Sequence, residues 1–318
     1  MTQDILAEVS HISRYYGGLR AVNDVSFTIR RGEILGFLGP NGAGKTTTMQ
    51  ILSGNLAPTS GSVRIAGHDL LAQPKPAKAA LGYLPEQPPV YRDLTVDEYL
   101  DYCAALNRIA RGKRREARES AKSKCGLTDV ARRLIGNLSK GYQQRVGIAQ
   151  AIIHLPPLVI LDEPTIGLDP IQIREIRALI RELGKEHGVI LSTHILPEVQ
   201  AICDRVQIIH KGDLVMADTI DGLARHLKWA ALIVSWRNPP AIAELAQVSG
   251  VREVSHLDDG RWRILHEPGQ DLAEQLVRIS VERNWGLREI GPERASLEQI
   301  FVELTTREAN TSPAEAAA

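Results

Sequence analysis

The densest chemistry in the chain lies in eight consecutive residues, Gly39-Pro40-Asn41-Gly42-Ala43-Gly44-Lys45-Thr46. They follow an apolar run over residues 34–38 and lead, through Thr47, into residues 47–52, which read as a helix. The pattern G-x-x-x-x-G-K-[ST] between a buried strand and a helix is suited to anion capture. Its glycines let successive backbone N–H groups turn toward phosphate oxygens, and the helix N-terminus adds its positive end. Lys45 would reach the β- and γ-phosphates and the Thr46 hydroxyl would ligate Mg²⁺. A bare strand-to-helix turn has no use for a Lys-Thr pair at its exit.

A second cluster complements the first. The apolar residues 158–161 end in Asp162-Glu163-Pro164. A carboxylate pair at the C-terminal tip of a buried parallel strand stands where open α/β sheets bind ligands. Asp162 can hold Mg²⁺ and Glu163 can orient or deprotonate an attacking water. Two adjacent carboxylates would repel a polyphosphate unless a cation intervened, which again implies a metal. His194 stands at the tip of the next strand-like run, residues 189–193, where an imidazole could donate to a γ-phosphate. Taken alone, such a histidine is more often an incidental surface residue.

Weaker signals surround these. Ser139 is a good N-cap for a helix running to residue 154, and Lys140-Gly141 keeps its entrance open to an anion, though plain capping would look the same. Tyr16, ahead of Gly17-Gly18, could stack on a purine or be an ordinary surface aromatic. Gly167-Leu168-Asp169-Pro170 turns into an amphipathic helix over residues 171–187. The elements that must position these groups can also be read. Residues 5–12 and 21–29 alternate as strands ahead of the phosphate loop, and residues 82–85 read as a strand that ends at Glu86-Gln87. Thr95 and Glu98 form a capping box. The basic run 111–118 is interrupted by Glu116, followed by Glu119 and free of aromatics, which favours a solvated helix face over a nucleic-acid or lipid patch.

Taken together, the loop at 39–46, Leu138-Ser139-Lys140-Gly141-Tyr142, the strand ending in Asp162-Glu163, and His194 resemble the ordered motif set of an ATP-binding-cassette (ABC) ATPase, over roughly the first two thirds of the chain. The resemblance implies ATP and Mg²⁺ as cofactors and makes Tyr16 the adenine-stacking aromatic, Asp169 the D-loop carboxylate and His194 the switch histidine. It makes Leu138–Tyr142 the signature that faces the nucleotide of a second cassette in a head-to-tail homodimer or heterodimer. The signature departs from the usual Leu-Ser-Gly-Gly-Gln. Spacing places Glu86 at the customary Q-loop position with Gln87 beside it, and the sequence leaves open which of the two acts there. The wording around 83–87 and 139–142 looks like the ABC-2-type exporter and gliding-motility branch. That implies a cytoplasmic ATPase on the inner face of the cell membrane with a separate integral-membrane permease, part of which would dock near Tyr91. The rival reading is a soluble ABC ATPase of DNA repair or translation. It lacks the insertions or second cassette those proteins carry.

Beyond about residue 224 the pattern resets. Strand, helix, two strands around Asp258-Asp259-Gly260, helix and strand suggest a small ferredoxin-like α+β domain. The expected layout is thus an α/β P-loop NTPase cassette with antiparallel β and helical subdomains over 1–224, an accessory domain over 230–306 that ends in a helix capped at Ser296, and a disordered tail over 307–318. Composition fits. Lys plus Arg and Asp plus Glu are both 38, so no net basic field argues for nucleic acid. Three scattered cysteines suggest reduced thiols rather than a zinc site. No apolar run approaches the ~18–20 residues that span a bilayer, and Met1-Thr2-Gln3-Asp4 does not read as a signal peptide.

Overall fold

The computed structural model describes residues 5–223, 230–257, 260–266 and 271–292. The chain divides into two units, residues 1–220 and 221–318.

The first unit opens with β1 (Ile5–Tyr16) and β2 (Leu19–Arg30), a long hairpin closed by Gly17-Gly18, then β3 (Ile34–Leu38), the phosphate loop and α1 (Lys45–Leu52). There follow β4 (Ser60–Ile65), β5 (His68–Asp69), α2 (Pro74–Ala79), β6 (Leu81–Leu84), α3 (Val96–Leu106), α4 (Arg114–Cys125) and α5 (Lys140–Ile152). The unit continues with β7 (Leu158–Asp162), α6 (Pro170–Gly184), β8 (Gly188–Thr193), α7 (Leu196–Ile202), β9 (Arg205–His210), β10 (Asp213–Thr219) and the start of α8 (Ile220–Leu223). The strands form a ten-stranded sheet in the order β5-β4-β1-β2-β10-β9-β3-β8-β7-β6.

Its two halves differ in kind. Strands β9, β3, β8, β7 and β6 are parallel, and β3, β7 and β8 are buried along their whole length. Helices cover both faces of such a plate, which explains why these strands are runs of Ile, Leu and Val without polar alternation. Strands β1, β2 and β4 pair antiparallel and alternate. The halves meet where β10 runs beside β2, in register at the single pair Asp213–Asn23. Around it Asn23 N–H donates to the Gly212 carbonyl (2.8 Å), Asn23 Nδ2 to Asp213 Oδ1 (2.7 Å) and Arg20 Nη2 to Asp213 Oδ2 (2.6 Å). The antiparallel strands, α1 and the plate enclose one core, with Phe27 and Phe37 at 5.8 Å between ring centroids.

The capping box forms: Thr95 Oγ1 accepts from Glu98 N–H (3.3 Å) and Glu98 Oε2 accepts from Thr95 N–H (2.8 Å). At the end of the basic run Arg118 pairs with Asp101 (2.6 Å), and beyond it Lys122 pairs with Asp97 (2.5 Å). Two helices of the first unit end earlier than their patterns suggest. Helix α5 stops at Ile152, ahead of Leu155 with φ 53°. Helix α6 stops at Gly184, followed by 3₁₀-type turns from Lys185 and Glu186. In the second unit, a helix over Leu272–Glu282 is followed by Asn284 with φ 56°.

The second unit contains β11 (Ala230–Trp236), α9 (Ile242–Ala246), β12 (Val251–His256), β13 (Trp262–His266), α10 (Leu272–Glu282) and β14 (Leu287–Pro292). All neighbours are antiparallel in the order β12-β13-β11-β14, the ferredoxin-like arrangement. Its core is built on Trp236 and Trp285, edge-to-face at 6.0 Å, and Trp236 Nε1 donates to Ser280 Oγ (2.8 Å). Asp258 and Asp259, the helix expected from Ser296 and the expected tail lie outside the described residues.

Candidate functional site

The phosphate loop joins β3 to α1. Gly39 and Gly44 are there because nothing larger fits. A Cβ on Gly39 would lie 2.5 Å from the Ile209 carbonyl oxygen, and one on Gly44, at φ 107°, would lie 2.4 Å from that of Ala21. Gly44 is also the N-cap of α1, whose first turn carries no acidic residue, so its free N–H groups remain available to an anion. The side chain of Lys45 is 6% exposed and folds back on the loop. Its ammonium donates to the carbonyls of Gly39 (2.8 Å) and Pro40 (3.2 Å) and lies 3.3 Å from Glu163 Oε1.

A cavity of about 580 Å³ opens over this loop. Of the residues singled out in the sequence, Tyr16, Asn41, Gly42, Gly44, Lys45, Thr46, Thr47, Glu86 and Glu163 line it. Ala43 is buried beneath, and Gly39 and Pro40 take part through their carbonyls. Tyr16 ends β1 at the hairpin tip, with the Arg14 guanidinium 4.7 Å from its ring centroid. Sequence reading missed Leu19, Arg20, Ala21, Ile166 and Lys211, which complete the wall. Lys211, at φ 47° in the turn between β9 and β10, had only the neighbouring Gly212 to mark it. Gln87 is exposed and does not line the cavity.

Asp162 and Glu163 follow different rules. Asp162 is the last residue of β7, fully buried, and neither carboxylate oxygen has a hydrogen-bond partner. Burial raises its pKa above the ordinary carboxylate value. The Ser192 hydroxyl eases the charge without a hydrogen bond of good geometry, and Glu163 and Glu86 raise the pKa further. Glu163 has left the strand: its φ is 48°, its N–H donates to the Ser192 carbonyl (2.9 Å), and Oε2 meets Nδ1 of His194 at 2.9 Å. His194 follows β8 directly, with its side chain 36% exposed. Strand tips β7 and β8 thus bring together a metal-competent carboxylate, a second carboxylate and an imidazole beside the loop.

The remaining candidates lie apart from the cavity lining. Ser139 caps α5, its Oγ accepting from Tyr142 N–H at 3.5 Å, and the helix's first turn has no acidic residue. Leu138 is buried and Tyr142 is 38% exposed. Gly141 packs against the side chain of Gln172, and the Lys140 amine lies over Gly167, so this segment rests on the loop that leads to Asp169. Asp169 caps α6 by accepting from Ile171 N–H (3.0 Å) and Gln172 N–H (2.9 Å).

A parallel P-loop plate joined to an antiparallel β layer and a helical segment, with this set of strand-tip residues, defines a nucleoside-triphosphate-hydrolysing cassette. The family model "ABC transporter" matches residues 22–166. The chain is 35% identical to the bacitracin transport ATP-binding protein BcrA of Bacillus licheniformis, over 94% of this chain and 97% of that one. It is 29% identical to the linearmycin resistance ATP-binding protein LnrL of Bacillus subtilis, over 95% and 99%. A solved "ATP binding subunit of ABC transporter" superposes with a TM-score of 0.63 at 33% identity, covering 69% of this chain and 92% of that one. The chain belongs to the ABC transporter ATP-binding proteins. It is therefore the ATP-binding, ATP-hydrolysing subunit of a membrane transporter. Among the described residues, no helix is long and apolar enough to cross a membrane.

Proposed function

We propose that this chain is the MgATP-driven motor of an ABC-2-type exporter, working as a dimer on the cytoplasmic face of the cell membrane with a separate permease. The observation that carries the reading is one continuous wall from Tyr16 through Lys45 and Thr46 to Glu163, with Glu163 held by His194. Two relatives aligned over nearly their whole length are named for bacitracin transport and linearmycin resistance, which supports compounds of that kind as the cargo. The exposed Tyr91, at 53% and 5.6 Å from the Tyr102 ring, offers an aromatic contact for the permease just past Glu86.

In this reading the adenine stacks on Tyr16 and the phosphates settle on the N–H groups of residues 41–47. Lys45 exchanges the carbonyls of Gly39 and Pro40 for β- and γ-phosphate oxygens. Glu163 orients a water in line with the γ-phosphorus and takes its proton as ADP leaves, while His194 fixes the carboxylate and donates toward the γ-phosphate. Asp162, buried with two unpartnered oxygens, and the exposed Thr46 hydroxyl suit a Mg²⁺ ion shared with the phosphates. That ion would neutralise charge on the transferring group. Glu86 takes the Q-loop place and Asp169 the D-loop place. Leu138–Tyr142 would present the α5 N-terminus to the nucleotide of a partner cassette.

Two variants test this. Glu163→Gln should keep nucleotide affinity within about twofold of wild type and lower kcat by orders of magnitude, since general-base catalysis is worth 10²–10⁴-fold. Lys45→Ala should instead weaken nucleotide binding, because the cation meets the phosphates in the ground state. Steady-state phosphate release alongside binding of a fluorescent ATP analogue separates the two effects. Normal turnover by Glu163→Gln would overturn the assignment.

A further inference from the structure

We infer that Glu198 is the positioning residue that keeps Glu163 and His194 in register, an inference that rests on the roles proposed above for those two side chains. Glu198 lies in the first turn of α7 and is 1% exposed. Its carboxylate bridges two segments. Oε1 accepts from Thr165 Oγ1 at 2.5 Å and Oε2 accepts from Thr193 Oγ1 at 2.9 Å. Thr165 is two residues beyond Glu163, and Thr193 immediately precedes His194. Both threonines are buried as well, at 2% and 0% exposure. One side chain therefore clamps the loop carrying the carboxylate to the strand tip carrying the imidazole, and neither it nor the two threonines line the nucleotide cavity.

Thr193 Oγ1 also accepts from Ile195 N–H (3.0 Å), so the hydroxyl that meets Glu198 is itself tied to the backbone just after His194. An acid buried this deeply is costly unless it is paired. Arg177 on α6 brings its Nη2 to 3.7 Å. Apolar packing of similar volume would often stabilise such a site as well or better, so stability alone does not account for a carboxylate here. Geometry does. Glu163 sits at φ 48°, a conformation that a non-glycine residue keeps only when its surroundings over-determine it. Backbone bonds from Ile166 N–H to the Glu163 carbonyl (3.2 Å) and from Leu168 N–H to that of Thr165 (3.2 Å) curl the loop. The Thr165–Glu198 bond then ties the curled loop to the helix that follows His194. Without it, the 2.9 Å contact between Glu163 and His194 loses the frame that sets it.

A displacement of about 1 Å at a reacting group costs on the order of 10²-fold in rate. Glu198→Ala should therefore lower kcat about 10- to 100-fold while KM and the affinity for a fluorescent ATP analogue stay within about twofold. Glu198→Gln, which keeps the shape and one acceptor oxygen, should recover most of the rate. The cleanest readout is non-additivity. If Glu198 acts through the Glu163–His194 pair, His194→Ala/Glu198→Ala should be no slower than His194→Ala, whereas an unrelated lesion would multiply with it. Thr165→Val serves as a milder second variant should Glu198→Ala fold poorly, and it should show the same split between kcat and KM. All are measured on the intact chain by steady-state phosphate release alongside binding of the fluorescent analogue. If Glu163→Gln and His194→Ala themselves turn over normally, the underlying reading of the site fails and this inference fails with it. If those two are slow while Glu198→Ala and Thr165→Val keep the wild-type kcat, the assignment to Glu198 alone is overturned. It is equally overturned if affinity falls in step with rate, or if the double variant is multiplicatively slower.

Discussion

Replacing Asp162 by Asn should end hydrolysis and yet make the nucleotide-free protein more stable. The carboxylate is fully buried, both its oxygens lack hydrogen-bond partners, and burial followed by Glu163 and Glu86 outweighs the relief from Ser192 and Lys45. An uncompensated buried polar or charged group costs about 1–3 kcal/mol, and an amide at the same place keeps part of that cost. A net gain of about 1–2 kcal/mol follows, or roughly 2–8 °C in Tm for a unit of this size. The pH dependence has a definite sign. An acid whose folded-state pKa is raised destabilises the fold wherever it is ionised. The gain from Asn is therefore full above the folded-state value and shrinks as pH falls through it toward the ordinary value of 3.8. Thermal unfolding in Mg²⁺-free, nucleotide-free buffer between about pH 5 and pH 8 reads it directly. Adding MgATP should then raise the wild-type Tm more than that of the variant. An Asp162→Asn protein that melts at or below the wild-type temperature at neutral pH refutes the claim that this carboxylate is held ready for a cation at a cost to the apo fold.

Two further outcomes are expected. In a Glu163→Gln background, ATP should drive dimerisation visible by gel filtration. Adding Ser139→Arg, which puts a long cation at the α5 N-terminus, should abolish the dimer while leaving ATP affinity unchanged, and an unchanged dimer would rule out a signature acting across the interface. His187, 4% exposed with Nδ1 2.6 Å from the Pro156 carbonyl oxygen, has a pKa lowered chiefly by burial. Its folded-state value lies below the unfolded one, so its contribution is complete above pH 6.5 and is lost as pH falls from there toward the folded value. Urea midpoints at about pH 5.5 and 7.5 should differ less for His187→Gln than for wild type, and an identical difference would disprove the assignment.

What could be read from the sequence and what could not divide along one physical line. Local rules were visible: the glycine-rich phosphate loop, where Gly39 and Gly44 have no room for a Cβ, the Thr95–Glu98 capping box, the Asp169 cap, and apolar strands buried along their whole length. The strand–helix order of the second unit likewise followed from period and turn chemistry. Groups assembled by long-range packing left no such trace. Lys211 and Arg20 reach the cavity because β10 runs back beside β2, a pairing that no local pattern announces. Glu198 reads in the chain as an acidic residue in the first turn of a helix, an ordinary place for one. Only the fold shows it buried between Thr165 and Thr193. Tyr16 was ambiguous for the same reason, since stacking depends on what stands opposite the ring.

The join between β2 and β10 has a mechanical meaning. A sheet resists bending about a strand in proportion to the ladder bonds that must stretch, and here one register pair and a polar clasp around Asp213 do the work that five pairs do between β3 and β8. The ten strands are one sheet by hydrogen bonding and share one core, yet their most thinly bonded join is this one, and Arg20 and Lys211 beside it line the cavity. Tyr16 belongs to one side of the join, and Lys45 and Glu163 to the other. Under the proposed reading, a nucleotide stacked on Tyr16 and held by Lys45 and Glu163 would bridge the two parts of the sheet across that thinly bonded join.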